Sequence, residues 1–93
     1  MIASFRHKGL KEFFLKGSTK GLQQKHVAKL RLMLGALNRA RKASDMDIPA
    51  WKLHPLKGKR DGEWSVWVDE NYRLTFAFDE KGDAVVVDYG DYH

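Results

Sequence analysis

Two imidazoles, His54 and His93, and the cations Lys57, Lys59, Arg60 and Arg73 make up a set able to cut RNA without a metal. In such a reaction the substrate's own 2′-hydroxyl is the nucleophile. The catalyst removes its proton, stabilises the added negative charge on the phosphorane, and protonates the leaving 5′-oxygen. Imidazole titrates near neutrality and can serve either proton step. Lys and Arg stabilise the charge, and Arg can do so bidentately. The chain finishes Asp88-Tyr89-Gly90-Asp91-Tyr92-His93, so that an acid, a phenol and an imidazole are consecutive. Asp91 is suited to orient an imidazole or fix its tautomer. Tyr92 is suited to donate a hydrogen bond or to stack on a base. The residues alone leave open which histidine is base and which is acid.

Plainer readings stand beside these. His7 and His26 fall in helical segments and read as surface or packing residues. His54, before Pro55, also reads as an ordinary edge residue. Arg73 either pairs with Asp88 or Asp91 or faces substrate. Of Trp64 and Trp67, on opposite faces of one strand, one belongs to the core and the other to a ligand surface. Tyr89 reads as core. Asp88, Asp91 and His93 are metal-ligand types, but no Cys or paired-His spacing accompanies them, so no metal and no cofactor are expected. There is no Gly-rich phosphate loop and no nucleophile elbow.

The elements that must position these residues follow from hydrophobic periodicity. Met1 to Arg6 alternates and predicts a short strand. His7 to Lys16 predicts a short helix stopped by Gly17. Leu22 to about Arg41 predicts the longest helix, with Val27, Leu30, Leu34 and Leu37 on its apolar stripe and Gly35 marking close packing. Its other face carries Lys25, Lys29, Arg31, Arg39, Arg41 and Lys42, which read either as a solvated surface or as a binding face. Trp51 to Leu56 is a short extended piece that Pro55 confines to an edge or a loop. Trp64–Val68, Tyr72–Phe78 and Ala84–Tyr89 predict strands joined by tight turns. The fold class expected is α+β: a short N-terminal strand, two helices, then a three-strand antiparallel meander with both helices on one sheet face.

Composition is consistent with one domain over residues 1–93. Seventeen Lys and Arg against twelve Asp and Glu give a net charge of +5, which suits a polyanionic partner. Nearly all the cations precede Asp61, and most of the acids follow it. The absence of cysteine excludes disulfides and thiolate chemistry and predicts a cytoplasmic setting. No apolar run approaches the ~20 residues of a membrane helix, and no signal-peptide pattern is present.

Four blocks carry a resemblance. They are Trp51-Lys52-Leu53-His54-Pro55-Leu56-Lys57-Gly58, Gly62-Glu63-Trp64-Ser65-Val66, Asn71-Tyr72-Arg73-Leu74-Thr75-Phe76 and Val87-Asp88-Tyr89-Gly90-Asp91-Tyr92-His93. Together they resemble the HigB branch of the RelE/ParE toxin superfamily. The resemblance implies a bacterial type II toxin with a microbial-RNase fold that cleaves mRNA in the ribosomal A site. It implies 2′,3′-cyclic phosphate and 5′-hydroxyl ends. It also implies a HigA-like helix-turn-helix antitoxin that binds operator DNA in the complex, with the 70S ribosome and its mRNA as targets. By position, the family's functional residues fall on His54, Asp91, Tyr92 and His93, with Arg73 and Lys57 as phosphate partners. Lys59, Arg60, Lys25 and Lys29 would add grip on RNA. Two rivals remain open, because one fold hosts several functions: a gyrase-inhibiting ParE-like toxin, and a non-catalytic ribosome- or RNA-binding module.

Overall fold

The computed structural model describes residues 1–91. Helix α1 spans Lys8–Lys16. His7 caps it, its Nδ1 accepting the Leu10 N–H at 3.0 Å, and Gly17 ends it in the left-handed region at φ 77°. Helix α2 spans Val27–Arg39 and is entered through a 3₁₀ turn, Gln24–His26. It is shorter than the expected 22–41 at both ends. At the start, the His26 ring is tied across the fold to Asp69 and Tyr89, which holds the first turn tight. At the end, Ala40 turns extended, and the Asp45 carboxylate takes the N–H groups of Arg41 and Lys42. Gly35 does not mark a close approach, since a Cβ there would meet only the Arg39 guanidinium at 3.7 Å.

The strands are β1 His54–Pro55, β2 Trp64–Trp67, β3 Tyr72–Phe78 and β4 Ala84–Asp91. They form one antiparallel sheet in the order β1-β2-β3-β4. The expected meander therefore gains a two-residue edge strand. Pro55 sits on that edge, where a missing ladder donor costs nothing.

One face of the sheet is covered by the helices. Val66, Leu74, Phe76 and Val87 meet Leu10, Leu30, Met33, Leu34 and Leu37, and all are essentially inaccessible to water. Tyr72 and Trp64 complete this side, half-buried. The alternation of β3 sends Arg73 and Thr75 to the opposite face, as expected from period-two geometry. Met46 and Trp51, both in 3₁₀ turns of the connector after α2, are buried in the same core.

The expected N-terminal strand over Met1–Arg6 does not form. The segment runs beside β4 in two isolated parallel bridges, Ile2 to Ala84 and Phe5 to Val87. The cause is a bulge in β4. Between the Ala77–Val85 and Thr75–Asp88 pairs the register slips, and Val86 adopts φ 49°. Its N–H then goes to Ser4 Oγ at 2.9 Å rather than to a backbone carbonyl, which splits the ladder. The bulge also resets the alternation of β4. Ala84 and Val87 both face the helices, and so does Tyr89, while Asp88 is turned to the other face. A β-branched residue in the left-handed region costs about 1–2 kcal/mol. Val86→Asn, which tolerates this conformation, is expected to raise Tm by about 2–6 °C in thermal unfolding, allowing for lost packing.

Candidate active site

Strand register assembles the sheet's open face row by row. His54 pairs with Ser65, Ser65 with Thr75, and Thr75 with Asp88. The next row pairs Trp67 with Arg73 and Arg73 with Gly90. Their β1, β2 and β3 members lie in a concavity of about 390 Å³ lined by His54, Leu56, Lys57, Arg60, Ser65, Trp67, Arg73 and Thr75. Half of that lining is basic or imidazole, on the sheet face away from the helices.

His54 is exposed, and its Nδ1 lies 3.0 Å from the carbonyl oxygen of Lys52. A carbonyl can only accept, so Nδ1–H donates. The neutral ring therefore carries its lone pair on Nε2. Lys52 itself sits in the left-handed region at φ 52°, ending the Pro49–Trp51 turn. Backbone strain of this kind is maintained where the surroundings over-determine it.

Arg73 is held from two directions. Its Nη1 donates to the carbonyl oxygens of Asp69 at 2.7 Å, Glu70 at 3.0 Å and Tyr72 at 3.2 Å. Its guanidinium carbon stands 4.0 Å from the centre of the Trp67 ring. Nε and Nη2 are thus the donors that can be offered to an anion. Of the sequence alternatives for Arg73, the structure places it in the concavity, with turn carbonyls as its partners. Asp88 instead lies 3.9 Å from Arg6. Lys52 was not singled out in the sequence, yet its Nζ also lies 4.0 Å from the Trp67 ring centre. The signal for it was its i, i+2 relation to His54 in an alternating segment.

The remaining candidates divide. Lys57 lines the concavity and is exposed. Arg60 lines it too, but its Nη2 donates to Glu63 at 2.7 Å and to Thr75 Oγ1 at 3.0 Å, so its charge is largely matched within the fold. Lys59 is exposed and lies outside the lining. Lys25 is exposed and Lys29 half-buried near the start of α2, and Lys25 lies 3.9 Å from Asp69 in the β2–β3 turn. Asp91 pairs across the sheet with Tyr72, at the end of the ladder and outside the lining. Tyr92 and His93 lie outside the described residues.

The sequence passed over one cluster. His26, read as a surface or packing residue, is 3% exposed and bridges Tyr89 Oη at 2.5 Å and Asp69 Oδ2 at 2.6 Å. No local signal could reveal it, because its partners lie far along the chain.

The comparisons with known proteins bear on this geometry. Residues 3–93 match the family described as the RelE-like toxin of type II toxin-antitoxin system HigB. The chain belongs to the HigB-like toxin family. As a HigB-like protein it is the toxin component of a type II toxin–antitoxin system, whose partner is an antitoxin. It is 45% identical over 93 residues to Endoribonuclease HigB of Proteus vulgaris, covering 100% of both chains. A chain of the YoeB-YefM complex from Staphylococcus aureus superimposes with TM-score 0.62 at 18% identity, covering 100% of this chain and 98% of that one. The YoeB/ParE toxin from Agrobacterium tumefaciens gives TM-score 0.59 at 17% identity, covering 100% and 99%. At such identities these two likenesses establish the α+β fold. Among the described residues no helix is long and apolar enough to cross a membrane.

Two carboxylates tie the HigB-like fold to pH. The hydrogen bond from His26, opposed by desolvation and reinforced by the N–H groups of Tyr72 and Asn71, holds Asp69 well below the usual carboxylate range. Burial pushes Glu63 up, but hydrogen bonds from Arg60 and Arg6 more than reverse it, leaving its pKa lowered. Both groups release their protons more readily folded than unfolded. Their contribution is therefore complete above the unfolded pKa values of about 4 and lost as pH falls through the folded ones. The urea midpoint is expected to fall from about pH 5 to about pH 3, and to fall less steeply in Asp69→Asn, which is weaker at neutral pH but has one fewer carboxylate to protonate.

Proposed function

We propose that this toxin is an endoribonuclease that cleaves mRNA on the ribosome by 2′-hydroxyl attack, leaving 2′,3′-cyclic phosphate and 5′-hydroxyl ends. The observation that carries this reading is the placement of His54, its tautomer set by the Lys52 carbonyl, in one concavity with Arg73 and Lys57. His54 Nε2 takes the 2′-hydroxyl proton. Arg73, through Nε and Nη2, and Lys57 stabilise the phosphorane's charge. The leaving 5′-oxygen needs an acid, and His93 is assigned that role, with Asp91 orienting an imidazole and Tyr92 stacking on a base. The identity to Endoribonuclease HigB over the whole chain supports the reaction class.

Lys59 and Arg60, in the turn after β1, and Lys25 and Lys29, at the start of α2, add affinity for ribosomal RNA through phosphate neutralisation. The toxin acts in the cytoplasm, on the 70S ribosome. Its neutralising partner is a HigA-like helix-turn-helix antitoxin, through which the complex reaches operator DNA. In vitro translation followed by primer extension is expected to show new 5′ ends within the message on programmed ribosomes. Intact message, with loss of gyrase supercoiling in a parallel assay, would replace this reading with the gyrase-inhibitor one.

A further inference from the structure

We propose that His26 is a positioning residue for Arg73, acting through the β2–β3 turn from the opposite face of the sheet. Asp69 makes contacts on both faces of the sheet. Its Oδ1 accepts the N–H groups of Asn71 at 2.9 Å and Tyr72 at 2.7 Å, which shapes the turn. Its backbone carbonyl accepts from Arg73 Nη1 at 2.7 Å, the shortest of that nitrogen's three bonds. Its Oδ2 accepts from His26 Nε2 at 2.6 Å. Rotation of this one residue moves the Arg73 acceptor; the bonds within the turn resist it locally, and His26 resists it from the opposite face.

His26 is itself fixed. With Nε2–H given to a carboxylate, the neutral ring's Nδ1 accepts a hydrogen bond from the Tyr89 hydroxyl at 2.5 Å. The Tyr89 oxygen in turn accepts the Gln23 N–H at 3.4 Å. The Tyr72 ring packs 4.8 Å from the imidazole, centre to centre, and its hydroxyl accepts from Gln23 Nε2 at 2.6 Å. The neutral ring satisfies both its nitrogens, and every bond it makes is to a different element: the β2–β3 turn on one side and β4 on the other. β4 continues from Tyr89 to Asp91, so the same ring also ties down the end of that strand. The ring thus joins the turn that holds Arg73 to β4.

The proposal rests on the cleavage reading in one arm of its test and not in the other. In the first arm, the Nε–H signal of Arg73 is followed by ¹⁵N NMR and assigned by its absence from Arg73→Ala. The Trp67 ring and the turn carbonyls set it apart from exposed arginines. In His26→Gln it is expected to move toward the exposed-arginine position while the amide spectrum stays dispersed. Tyr89→Phe, which keeps the ring and deletes only the hydroxyl, is expected to move it part of the way, and it decides the matter if His26→Gln does not fold. In the second arm, single-turnover cleavage is measured well below each variant's Tm. His26→Gln is expected to lower the rate by about 10–100-fold with KM little changed. In an Arg73→Ala background the same substitution is expected to cost less than about twofold. An unmoved Arg73 signal in the folded variants, or equal losses in the two backgrounds, overturns the proposal. Absence of cleavage by the unaltered protein removes the function reading and leaves the first arm standing.

Discussion

Arg73→Ala is expected to lower the rate of RNA cleavage by about 10²–10³-fold, the usual cost of removing one preorganised donor aimed at developing charge. The fold should survive. Arg73 lies on the open face, and its bonds go to carbonyls of a turn that water can reach in its absence. The informative companion is Arg73→Lys. An ammonium has three donors, and the three carbonyls of Asp69, Glu70 and Tyr72 can take all of them. A lysine here would keep its charge and lose its free fork. Arg73→Lys is therefore expected to retain ribosome binding in a filter assay and to recover less than about a tenth of the lost rate. Full recovery would mean that only the point charge matters and that the cradle has no catalytic consequence.

His54→Asn is expected to reduce cleavage by about 10²–10⁴-fold, the range for loss of a positioned general base. Asparagine is chosen because its amide N–H can replace Nδ1–H at the Lys52 carbonyl while supplying nothing in place of Nε2. The local backbone, including the left-handed Lys52, should then be retained, and Tm should change by no more than about 2 °C, as for a surface substitution. Binding to programmed ribosomes should be nearly unaffected. Loss of binding together with cleavage would reassign His54 as a contact residue; unchanged cleavage would move the base elsewhere.

The elements were legible because their signals are local. Tyr72, Leu74 and Phe76 alternate within a few residues, and that alone turns Arg73 away from the core. Pro55 announced an edge by lacking a donor, and β1 lies at the edge. What escaped depends on backbone states that type does not announce. Valine strongly favours strand, so Val86 at φ 49° could not be foreseen. Yet that bulge decides that Asp88 faces the concavity side and Tyr89 the helices. Gly35 invited a packing explanation that the space around it does not support.

The candidate site divides in the same way. His54, Lys57 and Arg73 could be named in advance because the chemistry of phosphodiester cleavage calls for an imidazole and cations, and because their blocks resemble a family. Their convergence is a matter of register: pairings 54–65, 65–75 and 67–73 bring separate strands into adjoining rows. Arg60 looked equivalent to Lys57 by type and proximity, but Glu63, three residues on, draws its guanidinium toward the fold. His26 looked dispensable, and its role depends wholly on Asp69 and Tyr89.

By itself the sequence determined the α+β class, the family and the residue types from which a metal-free nuclease site could be built. These follow from periodicity, chain order and side-chain chemistry, all of which are properties of short stretches. Only the tertiary structure decided the His54 tautomer, the carbonyl cradle of Arg73 and the buried tether through His26. The first two are short-range hydrogen bonds that depend on backbone states residue type does not announce, the left-handed Lys52 and the β2–β3 turn; the tether joins residues distant in sequence, and exists only once the fold has brought His26, Asp69 and Tyr89 within hydrogen-bond reach.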